Sequence, residues 1–589
     1  MKNIFRAILI SVISLFLLSI TLISLASPEK VDQKLKVSTL IAASPVVKEI
    51  IPEIDNAPFR DNPDLYQDDD PSSVVYMYVT VRVGNSSDNT AHTWQEVNDF
   101  VKWTDKGPTY IVVGKAEAIL QVGDENGPLP GELGYGETVP NATIQLRGNS
   151  TSAKAQKSYK IELRSRAGTW RGQSTINLNK HVFDITRARN KLSFDLIKQI
   201  PNMVSLRTQY VRLFVKDETA DPAKVTFVDY GLYTQVEQPN TKFLRSHLLD
   251  PDGQLYKATF FEFFRYPDQI RLADDPLYDE EAFSKILEVK GNKDHSKLIR
   301  MLDDVNDPTI PIEQTFEKYF NADNYFTWMA FNILMGNLDT QSQNFFLYSP
   351  RNGNKWYFIP WDYDGDLARQ FGFYIYDDFE SGVANYWGVP LHKRVLKIAR
   401  YRQMLDEKVN ELMDFLSSDR MEGMLKEYKK VTDVYSLQMP DLYYLRGSVN
   451  DYENEYALIP KEIKLNYDLY LKSLKSPMPI FLGTPKVSEN SLVFTWDESY
   501  DFNAQDISYH FILSKDWEFH NIVFEETLIN TTTLKIDALE PGTYFWQVSA
   551  TNEEGNTQYP FNTYWDAEAI IHRGLKYLYI TSDGKVLEE

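Results

Sequence analysis

The sequence predicts an α+β chain with a β-rich N-terminal part, a helical C-terminal part, and an all-β sandwich after them. Three patterns carry this prediction. Between Val74 and Glu237, runs rich in β-branched and aromatic residues recur between turn signals. From about Asp279 to Leu474, apolar residues recur at helical spacing. Beyond Pro477, strict alternation returns, as in Ser491-Leu492-Val493-Phe494-Thr495-Trp496. A chain of 589 residues is too long for one ordinary core, so several domains are expected.

At the N-terminus, Lys2 and Arg6 precede an apolar run from Ala7 to Ala26, long enough to span a bilayer at about 1.5 Å per residue. Residues 1–27 therefore read as a signal peptide or an uncleaved membrane anchor, and Ser24 and Ala26 suit a signal-peptidase site. Either reading makes the rest an exported protein. Residues 28–72, polar and with an acidic stretch from Asp61 to Asp70, read as a linker.

The main domain is expected over 73–475. Its first strand is Val74–Val81. Thr93–Trp103 follows as a helix, with Thr93 as N-cap and Glu96 three residues on. Strands are expected at Thr109–Val113 and Ala116–Val122, then a long loop from Gly123 to Pro140. Further strands are expected at Thr143–Arg147, Ser158–Arg164, Tyr210–Lys216 and Tyr230–Glu237, with a helix over Arg187–Ile200. In the helical region, Ile286 and Leu287 with Leu298 to Leu302 predict a helix pair. Ile312–Met335 and Lys393–Leu474 predict longer helices. Phe345–Tyr348 and Lys355–Pro360 read as two short strands around a turn. After Pro477, Trp496, the Pro541-Gly542 turn and the aromatic strand that follows resemble a fibronectin type III module over 477–570, and so a two-sheet sandwich. Residues 571–589 read as a tail or a hairpin around Ser582-Asp583-Gly584.

The formal charge of −21 disfavours general nucleic-acid binding, because phosphates would be repelled. The charge is uneven. Between Lys154 and Lys191 there are ten Lys or Arg against only Glu162 and Asp184, an island fit for a phosphorylated ligand or for a solvated basic face. The absence of Cys removes disulfides, thiolate zinc sites and a Cys nucleophile.

Chemistry concentrates in two segments. Asp339 and Asn344 lie between an apolar helix and a strand, and Asp362, Asp364 and Asp366 follow the next strand. Phosphoryl transfer needs a carboxylate near the attacking hydroxyl and oxygen ligands that hold Mg²⁺ against the phosphates. The order loop Asp, Asn, hairpin, Asp cluster meets that need. The same residues also fit an Asx turn at Asp339–Asn344 and a calcium loop at Asp362–Asp366.

Five segments carry a resemblance: Arg147-Gly148-Asn149-Ser150, Lys157 to Leu163, Gly231 to Gln238, Gly336 to Asn344, and Ile359-Pro360-Trp361-Asp362-Tyr363-Asp364-Gly365. Together, and in this order, they resemble the CotH family over about residues 73–475. The resemblance implies a divergent, minimal protein-kinase-like domain that binds ATP with Mg²⁺ or Mn²⁺ and phosphorylates Ser or Thr of coat or cell-surface proteins. By that resemblance Asp339 is the catalytic residue and Asn344, Asp362 and Asp364 are metal ligands. Lys160 and Arg147 would meet phosphate, Glu237 would orient Lys160, and Tyr233 and Trp356 would flank the adenine. The sequence departs from ordinary kinases in having no G-x-G-x-x-G loop, Asn337-Leu338 in place of His-Arg, and Asp362-Tyr363-Asp364 in place of DFG. Against the kinase expectation stands a non-catalytic surface or spore-coat protein that uses the same fold and sandwich for binding.

Overall fold

The computed structural model describes residues 59–104, 107–108, 113–220, 226–368, 379–488, 490–566 and 570–587. The N-terminal apolar segment and most of the strand expected at 109–113 lie outside them. No helix among the described residues is long and apolar enough to cross a membrane.

Seven strands build the N-terminal part: Val74–Arg82 (β1), Lys115–Asp124 (β2), Ala142–Arg147 (β3), Ser158–Leu163 (β4), Thr175–Asn179 (β5), Thr208–Asp217 (β6) and Val228–Glu237 (β7). β1 pairs antiparallel with β2 on one side and parallel with β6 on the other. The remaining pairs run β2–β3, β3–β4, β4–β5, β5–β7 and β7–β6. The strands thus close into a ring. Every second side chain points inward, and Val79, Leu120, Ile144, Ile161, Ile176 and Leu213 fill the interior with one apolar cluster. Helix α1 (Trp94–Asp99) adds Trp94 and Val97 to that cluster. Thr93 and Glu96 form the expected capping box, but the helix stops at Asp99 and Trp103 enters a short strand.

A second, larger core joins the helices to a four-stranded sheet of order β9-β8-β10-β11, built from Gln254–Ala258 (β8), Leu287–Val289 (β9), Phe345–Ser349 (β10) and Tyr357–Pro360 (β11). Leu287 was expected in a helix. It lies in a strand because Tyr256, Lys257 and Ala258 of β8 pair with Val289, Glu288 and Leu287, and ladder bonds outweigh a short apolar period. The helices include α2 (Arg189–Ile197), α3 (Ser296–Asn306), α4 (Ile312–Tyr319), α5 (Ala322–Met335), α6 (Pro390–Leu396), α7 (Ala399–Phe415), α8 (Ser418–Tyr435) and α9 (Val449–Ser473). α5 is buried on nearly all sides. Asn324 locks it to β11, accepting from Phe358 N at 2.7 Å and donating to Phe358 O at 3.1 Å. The described end of the segment read as linker is packed: Phe59 is buried and stacks on Tyr357 at 4.3 Å.

The C-terminal part is a two-sheet sandwich. One sheet holds Lys486–Ser488 (β12), Ser491–Thr495 (β13) and Thr533–Asp537 (β16). The facing sheet orders Ile522–Ile529 (β15), Ile507–Ser514 (β14), Gly542–Asn552 (β17) and Lys576–Ile580 (β20). A hairpin of Thr563–Trp565 (β18) and Ile571–Arg573 (β19) lies before β20. Phe494 meets Phe511 at 5.0 Å and Trp546 at 4.9 Å between the sheets.

Candidate active site

The site begins where α5 ends. Gly336 closes the helix in the left-handed conformation (φ +64), and its amide and that of Asn337 return to the Ile333 and Asn332 carbonyls. A side chain at Gly336 would strike Asn466, so the turn needs glycine twice over. The released chain forms a 3₁₀ turn, Leu338–Gln341, which carries Asp339 at the protein surface. Asn337 donates to the Asp362 carbonyl at 3.3 Å, and so ties this turn to the acidic segment.

The β10–β11 hairpin does the next step. Its register pairs Phe345 with Pro360, and Trp361 N donates to Asn344 O at 3.2 Å. Asn344 and Asp362 therefore emerge at the same end of the hairpin although 17 positions separate them in the sequence. Both are left-handed, with φ +59 and φ +63. Asn and Asp tolerate that region better than other side chains, and such strain gathers at functional sites. Asp364 Oδ2 accepts from His181 Nδ1 at 3.1 Å, the tautomer that the Asn190 amide donating to Nε2 requires. Asn190 steadies the far ring nitrogen at 3.3 Å and also accepts from Tyr363 N. Asp366 turns away: it is buried and receives the Ser193 hydroxyl at 2.5 Å, a structural position.

The electrostatics tie these groups together. Burial and then Asp364 raise the Asp362 carboxyl to about 6, against the pull of Arg147, His181 and Lys257. Asp339 is open to water on one side, yet its carboxyl is raised by the protein packed around it and by Asp364 and Glu380, with Gln343 opposing. Arg147, at the end of β3, lies over the Trp361 ring at 5.4 Å. Burial draws its guanidinium down, while Asp362, Asp364 and Glu288 support its charge. Burial lowers Lys102 to about 8, and Arg147, Lys257 and Lys160 add to that, which places four cations in one field.

Lys160 is on the outer wall of the barrel, held by Glu162 at 2.6 Å, which also takes Lys115 at 2.9 Å. Gln145 pairs with Lys160 and lies two residues before Arg147, so Lys160 and Arg147 share that outer face.

Three expected residues are not brought to this site. Glu237 does not orient Lys160. Strand register puts Lys160 opposite Asn177 and Glu237 opposite Ile176, on opposite faces, and Glu237 pairs instead with Arg207 and His247. Tyr233 is inside the barrel, its hydroxyl on the Lys157 carbonyl at 3.1 Å and its ring beneath Lys180. Trp356 is fully buried, 6.0 Å from Tyr256 in the larger core. An adenine needs an open ring face, and neither ring has one. In their place the structure adds Lys102, His181, Lys257 and Glu288, which the sequence reading missed. Lys257 and Glu288 face each other at 3.2 Å across β8 and β9, strands that carried no motif.

Chemically, Asn344, Asp362 and Asp364 offer oxygen ligands suited to Mg²⁺ or Mn²⁺, and Arg147, Lys160, Lys102 and Lys257 offer a counter-wall for phosphate oxygens. The fold and this cluster define an α+β protein with a mixed-charge site at the junction of a β-barrel and a helical half. Residues 144–470 match the family model described as CotH kinase protein, and the chain belongs to that family. It is also similar to the inner spore coat protein H of Bacillus subtilis (strain 168), 23% identical over 357 residues that make up 59% of this chain and 91% of that protein.

Proposed function

We propose that this protein is an exported, atypical protein kinase that transfers the γ-phosphate of ATP to Ser or Thr side chains of coat or cell-surface proteins. The observation that carries the reading is the meeting of Asn344 and Asp362 at one hairpin end, tied through Asn337 to the turn that bears Asp339. Asp339 takes the proton from the acceptor hydroxyl as that oxygen bonds to the γ-phosphorus and the bond to the β-phosphate oxygen breaks, leaving ADP. Asn344, Asp362 and Asp364 would hold Mg²⁺ or Mn²⁺, which would draw charge from the phosphate oxygens. Arg147 and Lys160 receive those oxygens from the barrel side. The family membership and the coat location in the relative's name support a coat or surface substrate. The three-stranded sheet facing a sheet of order β15-β14-β17-β20 supports reading the C-terminal sandwich as fibronectin type III-like. The N-terminal apolar segment supports export, with attachment to the membrane if it is retained.

The test is transfer of labelled phosphate from ATP to a Ser-rich acceptor with Mg²⁺ or Mn²⁺. Asp339→Asn and Asp362→Ala should each lower the rate on the order of 10²–10⁴-fold. No transfer together with no nucleotide binding by calorimetry would overturn the kinase reading. It would leave a non-catalytic coat or surface protein, for which the relative's name supports the coat location alone.

A further inference from the structure

The turn that bears Asp339 is clamped from one side by residues 379–389. Asn385 donates to the Leu338 carbonyl at 3.1 Å, and the Tyr386 and Thr340 hydroxyls share a hydrogen bond of 2.8 Å. Thr340 in turn donates to the Asn337 carbonyl at 3.1 Å. The clamp thus touches the 3₁₀ turn at Leu338 and Thr340, on either side of Asp339.

The clamp is itself held by the C-terminal sandwich. Phe379 is buried against Phe561, ring centroids 5.2 Å apart. Glu380 pairs with Arg573 Nη1 at 2.6 Å, with both side chains less than a quarter exposed. Trp387 stacks on Tyr500 at 5.4 Å and meets Phe502 edge-on at 5.7 Å. Gly388 faces the same rings: a Cβ there would lie in ordinary van der Waals contact with Phe481 and Phe561. The holding residues form one rim: Thr563, two residues after Phe561, pairs directly with Arg573 across the β18–β19 hairpin. Phe561 N bonds to Ile480 O at 2.9 Å and Leu482 N to Asn562 Oδ1 at 2.7 Å, fixing the rim to the sandwich edge.

A module meant only to reach a distant partner needs no such contacts; independent domains join through flexible linkers and small polar interfaces. Here an aromatic interface and a shielded ion pair end one segment away from Asp339. We propose that the C-terminal sandwich is a positioning part of the phosphate-transfer site: Phe561 and Arg573 fix residues 379–389, which fix the turn at 337–341 and so aim Asp339. The catalytic half of this inference rests on the kinase reading; the mechanical half does not. Phe561 and Arg573 act through the clamp and are positioning residues. A fixed carboxylate matters because a displacement of about 1 Å from the reacting geometry can cost on the order of 10²-fold in rate.

The experiment uses the whole chain and three variants, Arg573→Ala, Phe561→Ala and Arg573→Lys. Backbone hydrogen exchange is followed over 337–344, over 379–389 and, as a reference, over β1 and β6 of the barrel. We expect exchange at 337–344 and 379–389 to rise several-fold in Arg573→Ala and Phe561→Ala, the barrel strands to stay unchanged, and Arg573→Lys to stay near the parent. With an active parent, kcat should fall about tenfold while KM for ATP holds. Unchanged exchange at 337–344 in Arg573→Ala would overturn the proposal, as would raised exchange with an unchanged kcat in an active parent. Should Phe561→Ala fail to fold, Arg573→Ala decides alone, since Arg573 is half-buried at the rim and lies outside the sandwich core. A parent that neither transfers phosphate nor binds nucleotide defeats the kinase reading, and the exchange result still decides whether the sandwich holds the turn.

Discussion

Glu237 shows how a single residue can be read for the wrong partner. The sequence offers a strand carboxylate in a family segment; the structure surrounds it with Arg207 and His247, and His247 reaches on to Asp61. Burial alone would raise Glu237, but His247 and Arg207 hold it down at about 2. Burial alone would lower His247, but Glu237 and Asp61 push it up to about 9. The two groups bound the pH range of the cluster. Glu237 contributes stability that is present above its ordinary value of 4.5 and is lost as pH falls toward 2. His247 contributes stability that is complete below its ordinary 6.5 and is lost as pH rises through 9. Urea unfolding should therefore show a loss on the order of 2–3 kcal/mol between pH 6.5 and pH 9. His247→Phe should flatten that alkaline limb, and an equal slope in parent and variant would remove His247 as its cause.

At the scale of elements, the tie between barrel and helical half is a buried ion pair. Lys180, just past β5, meets Asp441 at 2.7 Å, and both are 1% exposed. Asp441 also accepts from Gln156 at 2.9 Å and from Leu232 N at 2.6 Å. Gly231 makes room for it: at φ +80 a Cβ there would lie 1.9 Å from the Asp441 carboxylate. Removing one partner of a buried pair strands the other charge, so Asp441→Ala should cost about 3–5 kcal/mol by denaturant unfolding. A cost below about 1 kcal/mol would mean that Lys180 finds water or loses its proton cheaply. Elements with strong local signals were legible: β1, the capping box of α1, and the β10–β11 hairpin. β5, β8 and β9 were not, because short strands in polar surroundings declare themselves only through the strands they pair with.

For the molecule as a whole, the described residues belong to one compact unit. Trp387 belongs to the larger core yet stacks on Tyr500 and meets Phe502 edge-on, both in the sandwich segment. The helical half and the sandwich should then melt as one calorimetric transition, with Trp387→Ala separating them into two. Two transitions in the parent would show that the interface is weaker than its aromatic packing implies. The closure of the seven strands belongs to this scale as well. β1 pairs parallel with β6, more than a hundred residues on, and no local pattern in either strand names that partner.

The sequence by itself determined the α+β class, the return to β structure after Pro477, and the order of Asp339, Asn344, Asp362 and Asp364 along the chain. Those follow from periodicity and from motifs confined to a few neighbouring residues, which local physics reads directly. Only the tertiary structure decided the ring closure, the burial of Tyr233 and Trp356, the separation of Glu237 from Lys160, the arrival of His181 and Lys257 beside the carboxylates and of Lys102 and Glu288 near Arg147, and the clamp that the sandwich places on the Asp339 turn. Each depends on which side of a strand meets which distant surface, and a register shift of one residue reverses that choice without changing the local pattern.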